Sequence, residues 1–523
     1  MVTNTTNRSR QPKGTSKGDQ FAPEQHTTAP HDLDNSSDTP STVIHAPEWY
    51  VETEQWHNKN GELHRDNAPA QIHYNHDGTV KAEEWWQNGH RHRTDGPATT
   101  AYYNDGSPMS EEYWQNGELD RTDGPALTNY YENGTIKKEE WCRNGKLHRT
   151  DGPAYVGYDP DGTVEVEQWR QNGHLHRTDK PALIRYRTDG TISEESWYQR
   201  GKIHRSDGPA IIHYRKNDST EFEAWWKNGD PHRDDGPAAT YYHPNGSIGT
   251  EQWRLDGRRH RNNKPAYIEY EPDGKISHTS WYQHGYLHRT NAPASTYYWP
   301  NGATKSEQWC QNGLTHRTGA PACTTYRKDG AIESEEWYQH GDLHRENGPA
   351  RTNYYENGSV YCKEWYRNGK LHRTDGPSRI HYGTDGTIKE ESWCKNGRLH
   401  RTDGPAYVGY YPDGTATVEQ WRQNGELHRD DAPANIAYNP NGTIEEEQWW
   451  QNGKLHRDNA SANITYFEEG GPAYEAWYQY GKLHRIGGPA ETWYYPDGSI
   501  ESWAWWQNDM PVDPPTTETS DFS

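Results

Sequence analysis

The sequence predicts an all-β protein, a tandem-repeat antiparallel meander that forms an elongated, twisted single-layer sheet or β-solenoid. Three observations lead there. Proline recurs every 28 residues from Pro69 to Pro489, interrupted only by Ser461. Two glycine turns fall in each interval. Between the turns, side chains alternate with the period of two that a strand requires.

Periodicity decides the fold before any local signal does. The same step carries Arg65 to Arg485, Tyr74 to Tyr494 and Gly61 to Gly481 without exception. It carries Trp85 to Trp505 with Tyr113 as the one departure, and His64 to His484 with Asp120 as the one departure. These registers define sixteen repeats with no insertion between them. The string LHRTDGPAYVGY stands at both Leu147 and Leu399, nine repeats apart, which points to block duplication.

One unit, GTIKKEEWCRNGKLHRTDGPAYVGY from Gly134, gives the local structure. Asn144-Gly145 between Trp141 and Leu147 predicts a type I′ hairpin turn, because both central residues need positive φ. Gly fills that place in all sixteen repeats and Asn precedes it in eleven. Asp161-Gly162 predicts a second turn, in a register where Asp218 is the only residue other than Gly. The strand between them packs Ala154, Val156 and Tyr158 on one face, and the register from Ile72 to Thr492 is always Ile, Val or Thr. Asp151-Gly152-Pro153 cannot continue a regular ladder and reads as a bend within one long strand. Each repeat then supplies two strands, about 32 in the array. Across the Asn-Gly turn, Trp141 is expected opposite His148, Cys142 opposite Leu147, and Glu140 opposite Arg149. That pairing puts Trp and His on one face, and Leu, Arg and the variable residue after Trp on the other.

Composition fits a thin sheet. Of 523 residues 29% are hydrophobic yet 13% are aromatic, with 25 Trp and 37 Tyr against 4 Phe. Such a chain packs aromatic plates with polar handles and lacks the aliphatic mass of a thick core. A net charge of −22 repels nucleic acid and anionic membranes, so neither is an expected partner. Cys142, Cys310 and Cys394 share one register, and five Cys without a C-x-x-C pair exclude a disulfide framework and the usual zinc site. The N-terminus has no apolar signal core and no run long enough to span a bilayer, so the expected location is cytoplasmic, or outside by a non-standard route. Residues 1–46 and 511–523 are polar and expected to be disordered. The array is expected over residues 47–510, opened by a degenerate strand from Pro47 to Trp56 and closed by an unfinished unit from Trp503 to Asn508.

The string NGKLHRTDGPAYVGYDPDGTVEVEQW resembles MORN-type repeats, in the longer form found in bacterial, phage and giant-virus proteins. The resemblance covers roughly residues 54–508. It differs in length, 28 against about 23, and in carrying Arg149 and Pro153 where the family shows Gly. It implies an elongated single-layer twisted sheet acting as a scaffold in protein assembly.

No enzyme motif stands out from the repeats. The repeated His offers one ligand per rung without fixed partners, so a packed, hydrogen-bonded imidazole opposite Trp is expected rather than a metal array. Paired carboxylates such as Glu139-Glu140 belong to a register that is Glu in thirteen of sixteen repeats, excepting Thr279, Lys363 and Trp503, as a solvated charge ladder would and a catalytic pair would not. No cofactor is implied. The candidate contact residues are the variable aromatics after the repeated Trp: Trp86, Trp114, Tyr198, Trp226, Tyr282, Tyr338, Tyr366, Trp450, Tyr478 and Trp506. Rings at regular intervals on an open face would stack sugars or choline-like cations; rings packed between rungs would stabilise the sheet. The expected function is a non-enzymatic scaffold for multivalent protein–protein interaction, with carbohydrate or cell-surface binding through these aromatics as the alternative. A globular chain of this length has a radius of gyration of about 24 Å. Small-angle scattering should return a much larger value, and a compact particle would overturn the repeat reading.

Overall fold

A computed structural model describes residues 39–46 and 50–514. The expected disorder of residues 1–38 and 515–523 falls outside the described residues. Among the described residues there are strands and turns and no helix. The chain divides into two compact units, residues 1–118 and 119–523, each an open antiparallel meander. The meander of the first unit has six strands and that of the second has 28.

The rung after Trp141 shows how the sequence builds this. Asn144 and Gly145 take φ of 46° and 68°, as the type I′ turn demands. They close a small hairpin in which Cys142 pairs with Leu147, and the His148 N–H donates to the Trp141 carbonyl at 2.8 Å. Those two expected pairings are present. Glu140 does not face Arg149, however; its strand partners are Leu127 and Tyr155. The segment around Asp151-Gly152-Pro153 is not a bend within one long strand either. Residues 148–154 leave the ladder, so the hairpin and the strand Tyr155–Tyr158 lie in separate sheets. Tyr155–Tyr158 pairs with Glu140 to Lys138 before it and with Val164–Gln168 after it. The intervening turn places Gly162 at φ 86° and shifts the register between Gly157 and Tyr158, a bulge that accommodates the extra residue.

The most deeply buried register is the residue after Pro. Ala154 and its equivalents from Ala70 to Ala490 are 0% exposed, and the one replacement, Ser378, is buried too. The cause is a crowded junction: the Ala154 N–H donates to Gln168 at 2.8 Å while its carbonyl accepts the Trp141 N–H at 2.8 Å. Ser378 fits because its hydroxyl is used as well, donating to the Ser392 carbonyl at 3.0 Å and accepting the Cys394 N–H at 2.8 Å.

Trp and Arg share a side, contrary to the expected division of faces. The Arg149 guanidinium lies 4.2 Å over the Trp141 ring, and the stack recurs from Arg93 on Trp85 to Arg485 on Trp477. Its other side meets the backbone of Gly152, where a Cβ would stand 2.6 Å from the guanidinium carbon. Nε donates to Asp151 at 3.0 Å and Nη1 to the Pro153 carbonyl at 3.4 Å. The Arg-Thr-Asp-Gly-Pro string is therefore the frame around a cation held against an aromatic face.

The Glu register is not a solvated ladder. The Tyr158 hydroxyl donates to Glu139 at 2.7 Å, and the same bond to the Glu 19 residues earlier recurs at Tyr102, Tyr186, Tyr270, Tyr354 and Tyr438. At Tyr382 the partner place holds Lys363, whose amine sits 5.7 Å over the ring instead.

Adjacent hairpins are joined laterally by a second set of bonds. The Gly173 N–H donates to the Leu147 carbonyl at 2.8 Å and the Arg149 N–H to the Arg170 carbonyl at 3.1 Å. The Asn172 N–H donates to Nδ1 of His148 at 3.2 Å. Since a backbone N–H only donates, Nδ1 is the acceptor and the ring proton resides on Nε2. The one departure from His keeps this bond, with the Asn144 N–H donating to Asp120 at 2.9 Å. Where the turn residue is aromatic, its ring packs on the same imidazole: Tyr480 on His456 at 4.4 Å, His284 on His260 at 4.9 Å and His340 on His316 at 4.8 Å.

The array also starts earlier than residue 47. Thr42–His45 is a strand paired with Val51–Gln55, inside the segment expected to be disordered, and Met510–Pro511 forms a hairpin strand across the expected C-terminal boundary.

Two outcomes follow from this bonding. Glu251→Ala removes a charged acceptor from Tyr270 and should destabilise by about 1.5–3 kcal/mol, approaching the roughly 3–5 kcal/mol expected for Trp253→Ala; a loss near zero in denaturant melts would restore the solvated-ladder reading. Burial, followed by the bonded carboxylate, raises Tyr74, Tyr242, Tyr354, Tyr438 and Tyr466 from 10.0 to about 12. A raised folded-state pKa means the folded form binds the proton more tightly. The stabilisation is intact below pH 10 and lost as pH climbs through about 12. The part of the tyrosinate absorbance that rises in that window should come with a loss of circular dichroism, and a tyrosinate signal already complete near pH 10 with the sheet intact would contradict it.

Candidate interaction face

The two faces of the sheet differ in how much they change along the chain. On one face lie the β-branched register, the Tyr–Glu pairs and the Trp–Arg stacks, which hardly vary. The opposite face carries the alternate strand positions. In one rung these are Tyr155, Gly157, Val166 and Gln168; in the next, Leu183, Arg185, Glu194 and Ser196; in the next, Ile211, His213, Phe222 and Ala224. Backbone pairing is the same each time while the chemistry differs each time.

The ten candidate aromatics border this mosaic face. The indole of Trp86 donates to Glu84 at 2.9 Å, that of Trp114 to Glu112 at 2.8 Å and that of Trp450 to Gln448 at 3.0 Å. Tyr338 donates to Glu336 at 3.0 Å and Tyr366 to Glu364 at 3.2 Å. All ten, including Tyr198, Trp226, Tyr282, Tyr478 and Trp506, are half-buried, neither an open row nor fully covered. Cations sit between rings of successive rungs: Arg91 lies 5.2 Å from Trp86 and 5.4 Å from Trp114, and its Nη2 donates to Glu84 at 2.9 Å. Arg259 stands likewise 5.2 Å from Tyr267 and 5.3 Å from Tyr282. Elsewhere the register holds Arg170, Arg254 and Arg422 or the thiols of Cys142, Cys310 and Cys394, which are buried and free. Burial pushes the Cys142 thiol up to about 12, which makes it a packing group rather than a nucleophile.

His278 is the most enclosed imidazole on the mosaic face. It stacks on Tyr297 at 3.8 Å, with Nε2 2.8 Å from the Ser280 hydroxyl and 2.9 Å from that of Ser295. Burial, with Arg259 nearby, lowers it to about 4, so it stays neutral through the physiological range. Sequence reasoning passed over this face because its residues share no type; the signal was their variation at fixed positions.

On the other side, shallow grooves separate consecutive Trp–Arg stacks. One, of about 250 Å³, is lined by Arg261, Trp281, His288 and Arg289; its counterpart two rungs on, of about 290 Å³, by Arg317, Trp337, His344 and Arg345. Among the described residues no group of His, Cys, Asp or Glu is arranged to hold a metal ion.

No protein-family model matches the chain, and no curated protein matches it. Among solved structures, the Tc holotoxin pore of Photorhabdus luminescens aligns with 87% of this chain and 26% of its own, at 12% identity and a TM-score of 0.13. The TcdB2–TccC3 complex aligns with 89% of this chain and 28% of its own, at 12% identity and a TM-score of 0.12. The modular autolysin LytC of Streptococcus pneumoniae aligns over 51% and 52%, at 15% identity and a TM-score of 0.11. This chain spans about a quarter of the toxin chains it aligns with.

Proposed function

We propose that the chain is a non-enzymatic repeat scaffold that binds protein partners multivalently through the mosaic face. The observation that carries this reading is the contrast between faces. The residues that hold the fold recur on every rung, and the residues free to differ are gathered on one side. A partner that touches several rungs meets a sequence of distinct patches in fixed spacing, which gives specificity by combination and affinity by summation. The resemblance to MORN-type repeats points the same way, towards a scaffold in protein assembly. The net charge of −22 favours partners with basic surfaces and disfavours nucleic acid and anionic membranes.

Carbohydrate binding is the second reading, and the half-exposed rings of the candidate register favour it. Against it, the indoles of Trp86, Trp114 and Trp450 already donate to side chains of their own rungs.

Shortening the array in whole 28-residue steps and measuring partner capture tests the first reading. Affinity should fall gradually with each rung removed. Abrupt loss on removal of one particular repeat would place a local site there instead. Indole fluorescence quenched by a polysaccharide, and restored on replacing Trp226 and Trp450, would favour the second.

A further inference from the structure

We propose that the chain associates head to tail with further copies of itself, the strand Thr42–His45 of one copy adding to the strand Ile500–Ala504 of another. The two strands are unlike edges that together make one internal junction of the array.

The N-terminal edge is the second half of a repeat. Pro40-Ser41 occupies the place of Pro-Ala in the other rungs. The Ser41 hydroxyl donates to the Gln55 carbonyl at 3.0 Å and accepts the His57 N–H at 2.8 Å. Those are the two bonds that Ser378 makes to Ser392 and Cys394. Thr42–His45 pairs onward with Val51–Gln55, with the register shift just before its last residue that every first strand of a rung shows. The C-terminal edge is the first half of a repeat: Ile500–Ala504, then Trp505, then the hairpin strands Trp506–Gln507 and Met510–Pro511. The Val512 N–H donates to the Trp505 carbonyl at 3.0 Å, as His does to Trp in complete rungs. Among the described residues, Thr42–His45 has a partner on one side only, and so has Ile500–Ala504.

Within the array the halves join by a Trp N–H donating to the Ala carbonyl of the following strand, as Trp56 does to Ala70 at 2.8 Å and Trp477 to Ala490 at 2.7 Å. The Trp505 N–H and the Ser41 carbonyl are the matching groups at the two ends. The register follows from the last internal junction, where Tyr474, Glu475 and Ala476 face Trp493, Thr492 and Glu491. Transposed, Ser502 faces Ile44, Trp503 faces Val43 and Ala504 faces Thr42.

The side chains at this joint depart from the repeat on both partners at once. The place of the acceptor Glu is taken by Trp503, and the place of the donor Tyr by His45, so a polar pair becomes a pair of rings. Both edges also expose apolar surface: Val43 is 40% exposed, Ile44 43%, Ile500 55% and Trp503 51%. Unpaired strand edges with exposed apolar side chains are templates for pairing, and unlike edges make a heterologous contact, through which copies add head to tail.

Two exposed substitutions test this in the full-length chain, with circular dichroism checking that both keep the sheet. In sedimentation velocity, the unaltered chain should rise in mass with concentration in steps of 60.5 kDa. Trp503→Lys spoils one end and Val43→Lys the other, so each alone should remain monomeric. An equimolar mixture should form a dimer and stop, because only one good end of each kind remains. A monomeric unaltered chain at all concentrations would overturn the proposal. So would either variant associating alone, the signature of pairing between like ends.

Discussion

Among the described residues the sheet is backed by no helix, and its fully buried side chains are small ones, Ala, Ser and Cys, a constraint on which the rest of the structure depends. Burial has to be found laterally, between one rung and the next, and in residues small enough to vanish at the junctions. The Ala register meets the second need, with its side chain fully buried and both backbone groups bonded. The first need is met by polar groups that carry flat surfaces. Arg and Tyr each bury a face while keeping a donor engaged, and the repeated Trp supplies the ring that Arg covers, which is why the composition can be so poor in aliphatic residues and still give sheets with regular pairing.

The lateral bonds explain which residues tolerate no change and which tolerate one particular change. The imidazole of the His-Arg dipeptide works as an acceptor for the next rung's backbone, so Asp120 replaces it without breaking the bond. The Glu of the second strand works as an acceptor for a Tyr hydroxyl, and Thr279 and Lys363 stand where that acceptor is missing. Where Gly stands in Asp-Gly-Pro a guanidinium lies against it, and where Lys180, Lys264 or Ala292 takes that place the Arg–Trp stack is kept, so the register is set by packing and not by a turn. Each role is defined by the atom presented to a neighbour 19 or 24 residues away.

That distance marks the boundary of what the sequence made legible. The period, the two turns and the alternation are local, and they led correctly to an all-β meander with Asn144-Gly145 and Asp161-Gly162 at its corners. The separation of hairpin from sheet was missed because residues 148–154 carry a strand-like pattern around a Pro that local rules read as a bend. The Glu role was missed because carboxylates on thirteen of sixteen rungs resemble a solvated ladder until their partner is seen. The exceptions held the missing information: a register that accepts His or Asp and nothing else is an acceptor register. Pro40-Ser41 escaped notice because the first rung is one residue longer than the period, with Trp85 29 residues after Trp56, which hides its Pro from a strict count.

The candidate face was legible in a different sense, through disagreement between repeats instead of agreement. A strand position whose backbone is paired on both sides contributes its hydrogen bonds whatever its side chain, so the fold places few demands on Tyr155, Leu183 or Ile211. On the other face the Tyr, Glu and Arg side chains are partnered, and a change there costs two groups their bond. The architecture therefore separates the residues that hold the sheet from those that present chemistry. It does so by the pleat alone, since neighbours along a strand point to opposite sides. A surface assembled this way can differ on each rung without altering the spacing of the rungs, the property that repeat recognition requires.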